Sequence, residues 1–253
     1  MPYHRLGTAK YAGVGRPYRL HGLEPVEHRE LALFVELGKD YAWTCESTAA
    51  RSCAPDTGVQ RRRSGMSNLL ILVGSPRKQG NSALLTKTAE HAARQGGASV
   101  ERIFLHDLAI SPCDGCGLCR KSVDSPCVLD DDMTTLYVRL RAADAILIAT
   151  PIYSYNMTAQ TKLLLDRLYA LGSAEGNALS GKRFGFVVVY GGANPFTSGA
   201  ATAMRCLHDT FARKASWMRI VHGTAAEPRA AAKDPELMAA AAQLGADLVA
   251  DSA

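Results

Sequence analysis

The chain predicts a doubly wound α/β fold, a five-stranded parallel sheet with helices on both faces, within residues 66–253. Three observations lead there. Short runs rich in β-branched and aliphatic residues recur at 69–73, 100–105, 145–150, 184–190 and 218–222, each of the length of a strand buried on both faces. Segments of helical character fill 82–95, 131–143, 158–170, 198–215 and 235–250 between and after them. The first apolar run then breaks abruptly into a Gly/Ser/Pro turn, LLILVGSPRKQGNS, as the opening β-α unit of such a domain does. Ligands of these sheets sit beyond the carboxyl ends of the strands, where the strand order reverses, so the loops after the first, third and fourth strands are the expected site.

Ahead of this domain, residues 1–65 show no core-forming pattern and end in the polar, basic run TGVQRRRSG. They read as an N-terminal extension, poorly ordered or the product of a start codon assigned too far upstream. Arg61, Arg62 and Arg63 read as a solvated tail rather than a targeting or nucleic-acid patch. The net charge of only +5 over 253 residues argues against a nucleic-acid-binding surface. No apolar run reaches the ~18 residues of a membrane span, and the N-terminus lacks a secretory h-region, so a cytoplasmic location is expected.

The loop after the first strand, GSPRKQGNS, combines two turn-forming glycines, Gly74 and Gly80, with the hydroxyls of Ser75 and Ser82 and the guanidinium of Arg77. A helix beginning near Asn81 adds free N–H groups at the positive end of its dipole. Together these suit a phosphate. The spacing is neither GxxxxGK[ST] nor GxGxxG, which excludes the usual nucleoside-triphosphatase and dinucleotide fingerprints. The same residues also read as an ordinary polar loop capped by Asn81.

Between the second strand and the next helix lies CDGCGLCRKSVDSPC, with Cys113, Cys116, Cys119 and Cys127 spaced C-x2-C-x2-C-x7-C. Three cysteines at two-residue intervals can wrap one centre from a single loop, with Gly115 and Gly117 supplying backbone freedom. That spacing fits an iron-sulfur cluster better than zinc, which usually takes two separated pairs. A zinc or cluster-free thiol site and plain core cysteines stay open as alternatives. Asp130, Asp131 and Asp132 read as the cap and first turn of the following helix.

The third strand leads into TPIYSYNMTAQTKLLLDR. Pro151 keeps Thr150 extended, and Tyr153, Tyr155 and Asn156 crowd a short loop before a helix whose buried side carries Met157, Leu164, Leu168 and Leu171. The aromatic rings suit a flat ligand, and equally suit covering the sheet edge. Lys162 and Asp166 read as a solvent-face i,i+4 pair. Past the fourth strand, Gly191 and Gly192 allow close backbone approach to a ligand. His106, His222, Cys45, Cys53 and Cys206 carry no assigned role.

GSPRKQGNS, the CDGCGLC…C…DDM segment and PIYSYNMTAQTKLLLDR, in this order over residues 66–250, resemble the flavodoxin-like NAD(P)H-dependent FMN reductases, particularly the iron-sulfur flavoprotein branch. The resemblance implies FMN, with Ser75, Arg77, Gly80, Asn81 and Ser82 around its phosphate, Pro151, Ile152, Tyr153, Ser154 and Asn156 beside the isoalloxazine, and Gly191 and Gly192 on its other side. It implies a [4Fe-4S] cluster on the four cysteines. It also implies an FMN-dependent oxidoreductase that relays electrons between flavin and cluster, NAD(P)H, ferredoxin or a quinone as donor or acceptor, and a homodimer or homotetramer. A cluster-free FMN, quinone or nitro reductase and a non-enzymatic flavin-binding redox sensor are the competing expectations.

Overall fold

The computed structural model describes residues 67–120, 127–172, 176–192 and 215–250. The N-terminal extension, the helix expected at 198–215, and Cys45, Cys53 and Cys206 lie outside the described residues. Strands β1 (Asn68–Val73), β2 (Ser99–Phe104), β3 (Ala145–Tyr153), β5 (Arg183–Tyr190) and β6 (Trp217–Thr224) form one parallel sheet in the order β2-β1-β3-β5-β6, and the two-residue β4 (Asn156–Met157) pairs antiparallel with the end of β3. This is the flavodoxin-like strand order, with its switch point between β1 and β3.

Alternation along the strands sorts side chains to two faces. On β1, Leu69, Ile71 and Val73 join a core against helices α1 (Asn81–Gln95) and α4 (Pro235–Val249), whereas Leu70 and Leu72 join a second core with residues of α2 (Met133–Ala142) and α3 (Ala159–Arg167). Both sets are almost completely buried, which explains why β1 reads as a continuous apolar run rather than an alternating one. Phe184 and Phe186 of β5 stack at 6.3 Å within the second core. Each such ring contributes roughly 1.5–3 kcal/mol through burial.

Helix starts follow local chemistry. The Asp234 carboxylate accepts from the Leu237 N–H at 2.9 Å with Pro235 as first helical residue, and the Thr158 hydroxyl accepts from the Thr161 N–H at 3.3 Å. The expected apolar side of α3 is borne out by buried Leu164, continuing into Leu168 and Leu171 of a 3-10 turn, with Met157 packed at the margin. Lys162 and Asp166 form the exposed pair, Nζ to Oδ1 at 2.6 Å. Two differences stand out. β3 runs on through Pro151, which pairs with Val189, to Tyr153, and α2 starts two residues later than the acidic run suggested. Among the described residues, no helix is long and apolar enough to cross a membrane.

Candidate functional site

The loop after β1 leaves the sheet at Gly74, whose N–H donates to the Ala149 carbonyl at 2.7 Å. No side chain larger than hydrogen fits there, since a Cβ would lie 1.9 Å from the Thr161 Oγ1. Ser75 is buried, and its Oγ accepts from the Arg77 N–H at 3.2 Å. The N-cap of α1 is Gly80, which offers no side chain, so the first turn of the helix is uncapped. Asn81 is not that cap. Its amide nitrogen donates to the carbonyls of Ala225 (3.0 Å) and Glu227 (2.9 Å), and its oxygen accepts from the Ala231 N–H (3.1 Å), tying the start of α1 to the segment after β6. Lys78 is engaged by Asp107 at 2.8 Å, while the neighbouring Arg77 is exposed and has no ion pair among the described residues.

Past Pro151 and Ile152 the chain doubles back. Tyr153 pairs with Asn156 across a two-residue turn in which Ser154 (φ 47°) and Tyr155 (φ 67°) both occupy the left-handed region. This is the hairpin turn that glycine and asparagine usually serve, so two other residue types there mark stored backbone strain. Buried hydroxyls anchor the base of the hairpin. The Thr158 Oγ1 donates to the Gly74 carbonyl at 2.7 Å and lies 2.9 Å from the Thr161 Oγ1, and the Thr158 N–H donates to the Thr150 Oγ1 at 3.2 Å. The loops after β1 and β3 are therefore locked to one another below the surface.

These loops meet those after β5 and β6 around a cavity of about 380 Å³, within the size range of small-molecule sites. Ser75, Arg77, Gly80, Asn81 and Ser82 line it from the first loop, Pro151, Ile152 and Tyr153 from the hairpin, and Tyr190 and Gly191 from the end of β5. Ser154, Asn156 and Gly192 do not line it. Asn156 instead turns its oxygen to the Met157 N–H at 2.8 Å, and Tyr155 stands 73% exposed at the hairpin tip. Sequence reasoning missed Gln79, Val189 and the wall formed by Ala225, Ala226 and Pro228. The last wall carries no recognisable ligand residue; the amide of Asn81 and the bond from the Ala225 N–H to the Tyr190 carbonyl (2.8 Å) bring it to the cavity.

The cysteine loop is built differently. Cys113 and Cys116 are exposed, Cys119 is 8% exposed in the second core, and Cys127 is half-buried beside it. Gly115 (φ 69°) and Gly117 (φ 70°) take left-handed conformations that turn the chain between the thiols, in line with the freedom expected of them. Among the described residues the four thiols are not drawn together into a metal-holding group. They nevertheless share one neighbourhood: burial pushes the Cys119 thiol up, and Cys127, Cys116 and Cys113 each add to that electrostatically. The thiolate donor set and the glycine turns fit an iron-sulfur centre in chemistry and chain flexibility.

The model of the family described as NADPH-dependent FMN reductase matches residues 67–222. An iron-sulfur flavoprotein of Methanosarcina thermophila is 35% identical over 150 residues, 59% of this chain and 71% of that protein. Another from Archaeoglobus fulgidus is 36% identical over 121 residues, 48% of this chain and 53% of that one. Among solved structures, an NAD(P)H:quinone oxidoreductase from Methanothermobacter marburgensis superposes with a TM-score of 0.57 at 17% identity, covering 75% of this chain and all of that one. An FMN-dependent azoreductase from Bacillus anthracis does so with 0.54 at 15%, covering 73% and 100%. Identities so low speak for the shared fold alone.

Proposed function

As a member of the NADPH-dependent FMN reductase family, in its iron-sulfur flavoprotein branch, this chain is an FMN-containing oxidoreductase, and we propose that the four-loop cavity is where it holds FMN. The observation that carries the placement is the union, in one cavity, of an uncapped helix N-terminus, a guanidinium without an ion pair among the described residues, and two tyrosines. When bound, FMN supplies hydride acceptance and the release of electrons singly or in pairs. The uncapped N–H groups at the start of α1, with Arg77 and the Ser75 and Ser82 hydroxyls, hold the phosphate. Tyr153, Ile152 and Gly191, which line the cavity, would hold the ring, while Ser154 and Asn156 would act by shaping the turn and Gly192 by extending the glycine pair. Asn81 serves indirectly by pinning the wall after β6. NAD(P)H is the donor this reading favours, with ferredoxin as the alternative and a quinone among the acceptors. Tyr153 and Tyr155, exposed beside the cavity, offer the surface a second copy would cover in a homodimer or homotetramer.

Cys113, Cys116, Cys119 and Cys127 are assigned a [4Fe-4S] cluster, which would add a one-electron step beside the flavin. Their spacing, the glycine turns and the name borne by the relatives support this. Anaerobic purification followed by absorbance, iron, sulfide and flavin analysis tests it: FMN with no iron or sulfide returns the protein to the cluster-free reductases. For the cradle, Arg77→Ala should purify with most of its FMN lost; full flavin content in that variant refutes the phosphate assignment.

A further inference from the structure

The cysteine loop is open at its thiols and closed at its base, and the closure converges on a residue to which sequence reasoning gave no role. Arg167, the last residue of α3, is 1% exposed, and its side chain pairs with an Asp131 side chain that is itself 6% exposed. The pair is bidentate: Nη1 donates to Oδ2 at 2.5 Å and Nη2 to Oδ1 at 3.1 Å. The same Nη1 donates to the Ser111 carbonyl at 2.8 Å. Asp131 accepts in addition from the Ser111 N–H at 2.9 Å and the Met133 N–H at 3.0 Å, while Asp132 accepts from the Ala109 N–H at 2.7 Å. Tyr137 completes the cluster by donating its hydroxyl to the Arg167 carbonyl at 2.8 Å.

Ser111 lies two residues before Cys113 and Asp131 four after Cys127, so one guanidinium grips both stems of the thiol loop. Burial resists ionisation of Asp131, but the hydrogen bonds from Arg167, Ser111 and Met133 outweigh it and hold the carboxyl below the usual carboxylate range. An ion pair taken this far out of water is weak grounds for stability, because desolvation offsets much of its attraction. The Arg167 Nε is also buried without a hydrogen-bond partner, a further cost. What the pair does achieve is closure. With Ser111 and Asp131 bonded to each other and to Arg167, the two stems are joined before any ligand gathers the thiols, and part of the chain entropy of closing the loop is already spent. The grip is also placed with respect to the cavity, since α3 is a nine-residue helix whose other end begins at Thr158, under the tyrosine hairpin.

We propose that Arg167 and Asp131 are positioning residues for the cysteine loop, clamping both of its stems to the helix that seats the FMN hairpin. This rests on the cluster reading above for its purpose, but not for its geometry. The test uses full-length protein in two states. Purified anaerobically with FMN, Arg167→Lys and Asp131→Asn should lose iron and sulfide relative to flavin while keeping flavin content. In metal-free protein, iodoacetamide should label Cys119 about tenfold faster, or more, than in the parent chain, because its protection depends on the closed stems. An apolar replacement of the pair, Asp131→Leu with Arg167→Met, separates positioning from bulk stability: it should recover the thermal midpoint without restoring Cys119 protection. It also decides the matter if the single variants fail to fold. Parental Cys119 labelling in that double variant overturns the clamp. A parent chain without iron or sulfide overturns the cluster reading alone, and Cys119 labelling still decides the clamp.

Discussion

The cavity and the cysteine loop both arise at the carboxyl edge of the sheet, yet one has its walls tied together and the other only its base. Around the cavity, Thr158 bonds the loop after β1 to the hairpin, and Asn81 bonds the start of α1 to the segment after β6. The Asn81 amide and the Thr158 hydroxyl each make three hydrogen bonds within the protein, so the cavity exists before a ligand enters. Among the described residues of the cysteine loop the comparable bonds stop at Ser111 and Asp131, and Cys113 and Cys116 are exposed. Free thiols offer one another little attraction, and the effect of the other three on Cys119 is to disfavour its thiolate. A bound centre would supply the gathering that the chain lacks, as metal sites commonly do. Preorganisation at the cavity and incomplete organisation at the thiols therefore follow from where polar side chains find partners.

The contrast can be broken from the cavity side first. Gly74→Ala places a Cβ against Thr161 and should cost about 3 kcal/mol or more, with flavin lost along with stability. Denaturant titration with flavin quantification checks it, and a variant of parental stability would mean that the two loops are not packed as described. A smaller effect is expected of Thr158→Val, which strands the Gly74 carbonyl and the Thr161 N–H: about 2 kcal/mol, with weaker FMN binding and recovery in Thr158→Ser. Iron bound per protein in the apo-flavin state should hardly change, because the thiol loop has its own closure; iron loss as large as in the Arg167 variants would erase the distinction.

The mildest perturbation is acid. Asp131 has a folded-state pKa below that of the unfolded chain, so its contribution is fully present above the ordinary carboxylate value of about 3.9 and is lost as pH falls through the lower folded value. Of the groups facing it, Arg167 stays charged, and Tyr137, pushed up to about 12 by burial despite the nearby guanidinium, stays neutral throughout. The thermal midpoints of the parent and Asp131→Asn should therefore converge on acidification below pH ~4. A gap that widened instead would contradict the assignment.

Much of this was legible in the residues. Five apolar runs and the turns that end them specify the sheet, since strands buried on both faces leave an unmistakable pattern, and GSPRKQGNS marks its ligand edge without help from the tertiary structure. The strained hairpin was not legible, because Ser154 and Tyr155 are not the residues that a left-handed turn usually selects. Nor was the wall of Ala225, Ala226 and Pro228, whose side chains carry no chemistry of their own. Asp131 was read as a helix cap from its position. It does accept from the Met133 N–H, but both of its oxygens also meet an arginine 36 residues away.

Sequence by itself determined the fold class, the sheet edge where a ligand is expected and the presence of a cysteine-spacing motif, because each depends on local pattern: apolar runs, turn residues and spacings of two or three. Tertiary structure decided which residues act through others. Asn81 became a tie between walls, Thr158 a lock between loops, and Arg167 a grip on two stems. Those roles come from burial and from partners distant in the chain, and a buried polar group declares its purpose only when the atoms that satisfy it are in place.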